Sequence, residues 1–453
     1  MAVLAYGHVA SFYRIGLVFI AICTGWLWMG GMSSSPNLRF KIPGHPHPPP
    51  SFSSSRLSVS TNKLGDVLFP VPLSTGASPW VRDNHLMFQS LFDCLESFDC
   101  HANQTKIVLL ASMHFRFVLL GGVGGEQIWA KSTIDALQNL GYTYFYTSSP
   151  GQTMQLYQMF PGLVKAVLVD DEEAERCFHD TEGCTFSEEK NPTGIPPWKV
   201  FSFAFWSNPA NPLGHQWTLA PENYERIGLG HNTYLGYSIE FACRAQPFIP
   251  HSKRENQAYI LAKLLSFFTP QRDRAWSPAI FDAATTATGI QYMIGATNDT
   301  LQGEWPAAEL PSNYIGFGRI GQSVFFDKLS RARVLIGMGN PFTSPTPYDA
   351  LCLGVPFINP VLQWDKENPS DKSQWVSQHS LLELLEPPYV YNVFKDDLEG
   401  FVKAIQDAIS HPIQSFVPEQ MRMPSIERRL GAILEKDWQR EAALQTLLKQ
   451  ERG

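Results

Sequence analysis

From Lys106 onward, short apolar runs alternate with stretches whose apolar positions recur every three or four residues. The runs at 107–111, 142–146, 166–169 and 200–205 predict strands, with a helix over 125–140 between the first two. A second series begins near 258, with strands at 259–262, 291–294, 314–317, 334–336 and 357–358 and helices at 321–333, 345–353 and 396–410. Repeated alternation of this kind predicts an α/β chain of parallel sheets with helices on both faces. The last segment, 424–453, spaces Ile426, Leu430, Ile433 and Leu434 as the apolar stripe of a charged helix. It either packs back across the preceding blocks or lies free on the surface.

Ahead of the first strand the pattern is different. Residues 15–32 form an uninterrupted apolar run preceded by Arg14 and ending near Trp26 and Trp28, as expected of an uncleaved signal anchor with 1–14 as its cytosolic tail. A cleavable signal peptide is the competing reading. Residues 33–80 are rich in Ser and Pro and predict a semi-rigid stem. The expected order is then a first Rossmann-like domain over 81–250, a second over 251–412 and a helical tail over 413–453.

Composition narrows the function classes. Acids and bases are interspersed at a net charge of −7, so no basic stripe exists for a nucleic-acid backbone. Cys94/Cys100 and Cys177/Cys184 are spaced as local disulfides and lack zinc-ligand spacing; Cys243 and Cys352 also follow the anchor, and connectivity is not fixed by spacing. Asn103-Gln-Thr and Asn298-Asp-Thr are glycosylation sequons, which agrees with a lumenal location.

The richest segment for chemistry is 333–360. An apolar strand (Val334, Leu335, Ile336) runs into Gly337 and Gly339, where the missing Cβ admits a ligand or another backbone. Ser344 or Thr346 is placed to cap a short helix, with Pro345 or Pro347 in its first turn and free amides facing the strand ends. An anion is favoured there, and Asp349, one turn in, is placed to accept ribose hydroxyls.

This segment, ending in Phe357-Ile358-Asn359-Pro360, resembles the donor-site motif of the α-1,6-mannosylglycoprotein 6-β-N-acetylglucosaminyltransferases. Ser377-Gln378-His379, with Pro388-Tyr389 further on, is similar to that family's Ser-Gln-His-Pro-Tyr element with an insertion. The resemblance is colinear from about 106 to 420 and implies a GT-B-like fold, two Rossmann-like domains facing a cleft. It also implies a type II Golgi membrane protein that moves GlcNAc from UDP-GlcNAc, with inversion, to an α-mannose of an N-glycan on a glycoprotein.

Four glycines, Gly121, Gly122, Gly124 and Gly125, precede Glu126 without the G-x-G-x-x-G spacing of a nicotinamide site. The family has a similar run, and the count from its catalytic glutamate to a Leu-Gly pair is met here by Leu140-Gly141, so the resemblance gives Glu126 the role of base. Lys263, Arg319 and Arg254 are cationic candidates for the diphosphate, His379 for the uracil or diphosphate, and Trp129 or Trp217 for stacking the acceptor sugar. The acidic cluster Asp170-Asp171-Glu172-Glu173 is distant from the motif and reads as a solvated loop, so no metal cofactor is expected. Thr343 and Asp349 stand where the family has glutamates. Two alternatives therefore stay open, a transferase for another nucleotide sugar and a catalytically silent glycan-binding membrane protein.

Overall fold

Strands buried on both faces need helices over each, and the apolar runs accordingly condense into two helix-covered parallel sheets. The computed structural model describes residues 63–450 except 73–77, 181, 208–210, 229 and 301–304. The expected cytosolic tail, the anchor at 15–32 and the stem up to 62 lie outside the described residues. Among those described, no helix is long and apolar enough to cross a membrane.

The first sheet comprises, among the described residues, β1 (Ile107–Leu110), β2 (Thr143–Tyr146), β3 (Val164–Val169), β4 (Val200–Phe203), β5 (Thr218–Ala220) and β6 (Thr233–Tyr234). Its order is β2-β1-β3-β4-β5-β6, with every pair parallel. The chain winds one way from β1 to β2 and the other way from β3 onward, which opens a crevice at the carboxyl ends of β1 and β3. The second sheet contains β7 (Gln257–Leu261), β8 (Gln291–Ile294), β9 (Tyr314–Gly316), β10 (Val334–Gly337), β11 (Phe357–Gln363), β12 (Val376–Ser377) and β13 (Val390–Phe394). Its parallel strands run β9-β8-β7-β10-β11-β13, the order of a dinucleotide-binding sheet, with β12 antiparallel at the end of β11. The corresponding crevice lies beyond β7 and β10.

Three expectations need correction. Residues 64–68, assigned by composition to the stem, form a helix against a second helix, Pro79–Ser97, with Gly65 pressed on the Gln89 backbone where a side chain has no room. The expected strand 357–358 continues to Gln363 through Pro360. Proline is tolerated because its ring meets Gly337, the last residue of β10, beyond the point where β10 and β11 pair. The C-terminal segment is two helices, Met423–Glu435 and Trp438–Gln450, rather than one. The first is buried along Ile426, Leu430, Ile433 and Leu434 and packs on the helix Gly125–Asn139. Asn139 donates to Glu427 at 2.7 Å and Arg429 Nε to the Leu235 carbonyl at 2.7 Å, so this return helix is fastened to the first-sheet side.

Cys94–Cys100 and Cys177–Cys184 are local disulfides, and the remaining pair, Cys243–Cys352, joins residues 109 apart in sequence. Cys352 ends the helix Thr346–Cys352 and Cys243 lies in the helix Glu240–Arg244, so the bond ties the proline-rich loop's helix to the segment leaving the first sheet. Replacing both cysteines by serine is expected to cost roughly 2–4 kcal/mol, because so long a loop regains its freedom on unfolding. The check is the thermal midpoint under non-reducing conditions; a midpoint equal to that of the parent protein rejects the clamp.

Candidate functional site

The crevice beyond β7 and β10 is a cavity of about 190 Å³. Its second-sheet wall carries Tyr259, Leu261 and Lys263 from the end of β7, Gly295 after β8, Ile320 and Phe325, and then Ser344, Pro345, Thr346 and Asp349. The opposite wall is Val123, Gly124, Gly125 and Ile128, the glycine loop and first turn that follow β1. A larger depression, about 480 Å³, is a surface groove along the helix Asp171–His179, lined by that helix and Asp180, without convergent groups from a second element. The smaller cavity has the character of a ligand site, since apolar walls from separate elements meet a few polar groups there.

Close approach sets the cleft width. Gly125 lies against the Phe205 ring and Pro345, where a Cβ would stand 3.0 Å from the ring and 3.4 Å from proline Cδ. Glu126 follows at the start of its helix, partly exposed, with no hydrogen-bond partner among the described residues. Its charge is felt by the buried Tyr224, whose hydroxyl donates to the Phe205 carbonyl. The carboxylate therefore sits beside the cavity, next to residues that line it.

On the facing side Asp349 lies in the first turn of the helix Thr346–Cys352, 4 % exposed, with its carboxyl group at the cavity. Burial pushes its pKa well above the ordinary carboxylate range, and no described group hydrogen-bonds to it. Pro345 and Lys263 also line the cavity, with Lys263 exposed at its rim; Pro347 is buried behind it. Arg319 is exposed beside the cavity residue Ile320.

Several expected ligand contacts belong to the scaffold instead. Gly337 is needed for packing, because a Cβ there would collide with Pro360 and the Gln378 side chain. Gly339 takes a φ of 101°, which favours glycine, and packs beneath Leu362 and the Asp273 carbonyl. Gln378 holds the loop between β10 and the helix: its Oε1 accepts from Gly339 N and its Nε2 donates to the Pro341 carbonyl, each at 3.0 Å. Ser377 donates to Glu383 at 2.7 Å in the interior. His379 is fully buried, edge-on to Tyr348, and burial lowers its pKa to about 3. Neither ring nitrogen makes a well-formed hydrogen bond, although the Ser344 backbone is close enough to favour the protonated form slightly.

Trp129 is fully buried and stacked on Phe203 at 3.5 Å, and Trp217 is buried against Trp438, so neither ring is presented to a sugar. Arg254 is also internal. Its guanidinium donates to the carbonyls of Ile249, Ala332, Leu353 and Gly354, two of them just past the C-terminus of the Asp349 helix, where a cation is favoured. Asp170 is not solvated loop: it accepts from Ser112 Oγ and from Met113 N at the first-sheet crevice.

Sequence reasoning missed Glu222. It is 1 % exposed and accepts from Tyr237 on the first-sheet side at 2.9 Å and from Tyr348, the neighbour of Asp349, at 3.2 Å. Burial pushes its carboxyl up to about 8, with the two hydroxyls and Arg429 offsetting only part of the rise. Its partners lie 15 and 126 residues away, so no local motif announces them. The folded chain holds this proton more tightly than the unfolded one. Its contribution to stability is complete below the ordinary value of 4.5 and is lost as pH rises to about 8. Glu383, raised to about 7, has the same sign. Glu222→Gln is expected to shrink the fall in thermal midpoint between pH 5 and pH 8; an unchanged fall shows that Glu222 does not set it.

Comparison with known proteins places this geometry in context. A family-level sequence profile described as Glycosyltransferase family 18 matches residues 196–443. That span holds the second sheet and its cavity wall, whereas Glu126 and the glycine loop precede it. Among curated proteins, the alpha-1,6-mannosylglycoprotein 6-beta-N-acetylglucosaminyltransferase A of Cricetulus griseus is 21% identical over 346 residues, covering 70% of this chain and 45% of that protein. Its Homo sapiens counterpart is 23% identical over 253 residues, covering 51% and 32%. The chain thus spans about half the length of the curated relatives it matches, or less. Among solved structures, a glycosyltransferase of avilamycin A biosynthesis aligns with a TM-score of 0.41 at 14% identity, covering 75% of this chain and 98% of that one. The UDP-GlcNAc 2-epimerase of Methanocaldococcus jannaschii aligns at 0.37 and 10%, covering 73% and 100%.

Proposed function

Since the chain belongs to glycosyltransferase family 18, we propose that it is an inverting GT-B transferase that moves GlcNAc from UDP-GlcNAc in β1,6 linkage to an α-mannose of an N-glycan. The observation that carries this reading is a juxtaposition. A cavity at the switch point of a nucleotide-order sheet is faced, from the first-sheet side, by a glycine loop, and the unpartnered carboxylate of Glu126 follows that loop directly.

In this reading the nucleoside diphosphate occupies the second-sheet side, with Asp349 toward the ribose and Lys263 and Arg319 near the phosphates. Glu126 removes the proton of the mannose 6-hydroxyl as its oxygen attacks the anomeric carbon from the opposite face. The bond to UDP breaks, and the electron pair leaves with the β-phosphate oxygen. The amides at the start of the helix Thr346–Cys352, with the basic side chains, offset that charge, and no divalent metal is required. The chain acts in the Golgi as a type II membrane protein, held by the 15–32 anchor.

A second reading, a different nucleotide sugar, is favoured by Asp349 itself. It is a short, buried carboxyl, and burial favours its protonated form, which donates as well as accepts. Incubating the purified protein with a panel of nucleotide sugars and an N-glycan acceptor, and scoring nucleotide release together with the mass of the glycan, separates the two.

Glu126→Gln is expected to leave UDP binding intact and to cut kcat by about 10²-fold or more, the usual worth of a positioned base; near-normal kcat removes Glu126 from the mechanism. Asp349→Ala is expected to raise the donor KM by at least about tenfold, as loss of hydrogen bonds to the ribose implies, with little effect on the acceptor KM. Steady-state kinetics in both substrates decides, and an unchanged donor KM sinks the ribose assignment.

A further inference from the structure

The glycine loop is shaped around a side chain of its own. Gly122 lies where a Cβ would stand 2.9 Å from both Gln127 Cγ and the Phe117 carbonyl oxygen, and a Cβ on Gly124 would overlap Gln127 Oε1. Gln127, in the first turn of the helix Gly125–Asn139, therefore folds back beneath the loop and occupies the space that two missing side chains leave. Its amide is in turn held. Gln127 Nε2 is placed to donate to His114 Nδ1 at 2.9 Å. His114 Nε2 faces Asp170 Oδ1 at 3.9 Å, beyond direct hydrogen-bond reach, and Asp170 is anchored by Ser112 Oγ and Met113 N.

We infer that Gln127, oriented by His114 and Asp170, is a positioning residue that seats the glycine loop and thereby aims Glu126 at the reacting hydroxyl. The chain of contacts begins at the crevice between β1 and β3, where Ser112 and Asp170 leave their strands, and ends one residue from the carboxylate. It rests on the reading of Glu126 as the base. Two features separate it from ordinary packing. One side chain lies against both glycines, and it ends in a directional bond to a partly exposed imidazole rather than in apolar contact. A base must be held within a fraction of an ångström to act, and such support comes from residues behind it.

The test uses variants that separate volume from hydrogen bonding. Gln127→Met keeps the volume beneath the loop and removes the amide, His114→Phe removes the acceptor, and His114→Asn returns an acceptor at the Nδ1 position. Gln127→Met and His114→Phe are expected to lower kcat by about 10- to 100-fold with donor KM within about twofold, because the loss falls on the oriented state rather than on binding. The double variant should be no worse than either single one, as for two halves of one contact. His114→Asn should recover most of the lost rate. Hydrogen exchange of the 121–126 amides should quicken in Gln127→Met and stay near the parent rate in His114→Asn.

Unchanged kcat and unchanged exchange in Gln127→Met overturn the inference, as does full additivity of the two losses. A parent protein that turns over no sugar nucleotide at all sinks the assigned reaction instead. The exchange measurement then decides alone whether Gln127 seats the loop.

Discussion

A carboxyl group taken out of water must be neutral, paired or hydrogen-bonded, and Glu222 meets that demand by drawing one tyrosine from each side of the cleft. Tyr237 belongs to the segment leaving the first sheet, and Tyr348 to the helix that carries Asp349. The position of that helix is thus set by the solvation requirement of an acid on the other side. The Cys243–Cys352 bond repeats the attachment one turn further along the same helix, and the close approach of Gly125 to Pro345 fixes how near the walls come at the mouth. The cavity is the space these three constraints leave open.

The distinction between scaffold and site follows from the same requirement. Gln378, Ser377, His379 and Arg254 are polar residues close to the cavity in sequence or in space, yet their hydrogen bonds or burial commit them to the interior. Asp349 and Glu126 stand apart because no described donor satisfies either carboxyl group. Asp349 is buried, and a buried acid without a partner is costly unless a ligand completes it, whereas Glu126, beside the cavity, is open to water. The lack of a protein partner near the cavity, among the described residues, rather than any one motif, singles out the pair.

The architecture was legible because parallel strands covered on both faces must be apolar throughout, so β1 to β4, β7, β8 and β10 stand out as runs with bounds correct to a residue or two. β5 and β6 were not legible. At three and two residues they exist only as extensions of β4's pairing. Pro345 and Asp349 of the 333–360 motif line the cavity, since strand, loop and helix are consecutive there. Sequence reasoning assigned Gly337 and the 377–379 element to ligand contact because sequence shows that a Cβ is missing or a side chain is polar, but not what fills the space. Glu222 and the Gln127 contacts depend on partners brought together by the sheets, and no spacing rule reaches them.

The return helix Met423–Glu435 has a consequence for how the protein is made. It covers the helix whose first turn carries Glu126, and Ile426 and Leu430 are buried in doing so. On the ribosome the first sheet emerges about 190 residues before its cover, measured from the end of β6 at Tyr234 to Met423. Until the cover arrives, that helix is only partly packed: Trp129 meets Phe203 of β4, and the surface that meets Met423–Glu435 is bare. The first-sheet side therefore stays incompletely packed until Met423–Glu435 has been made.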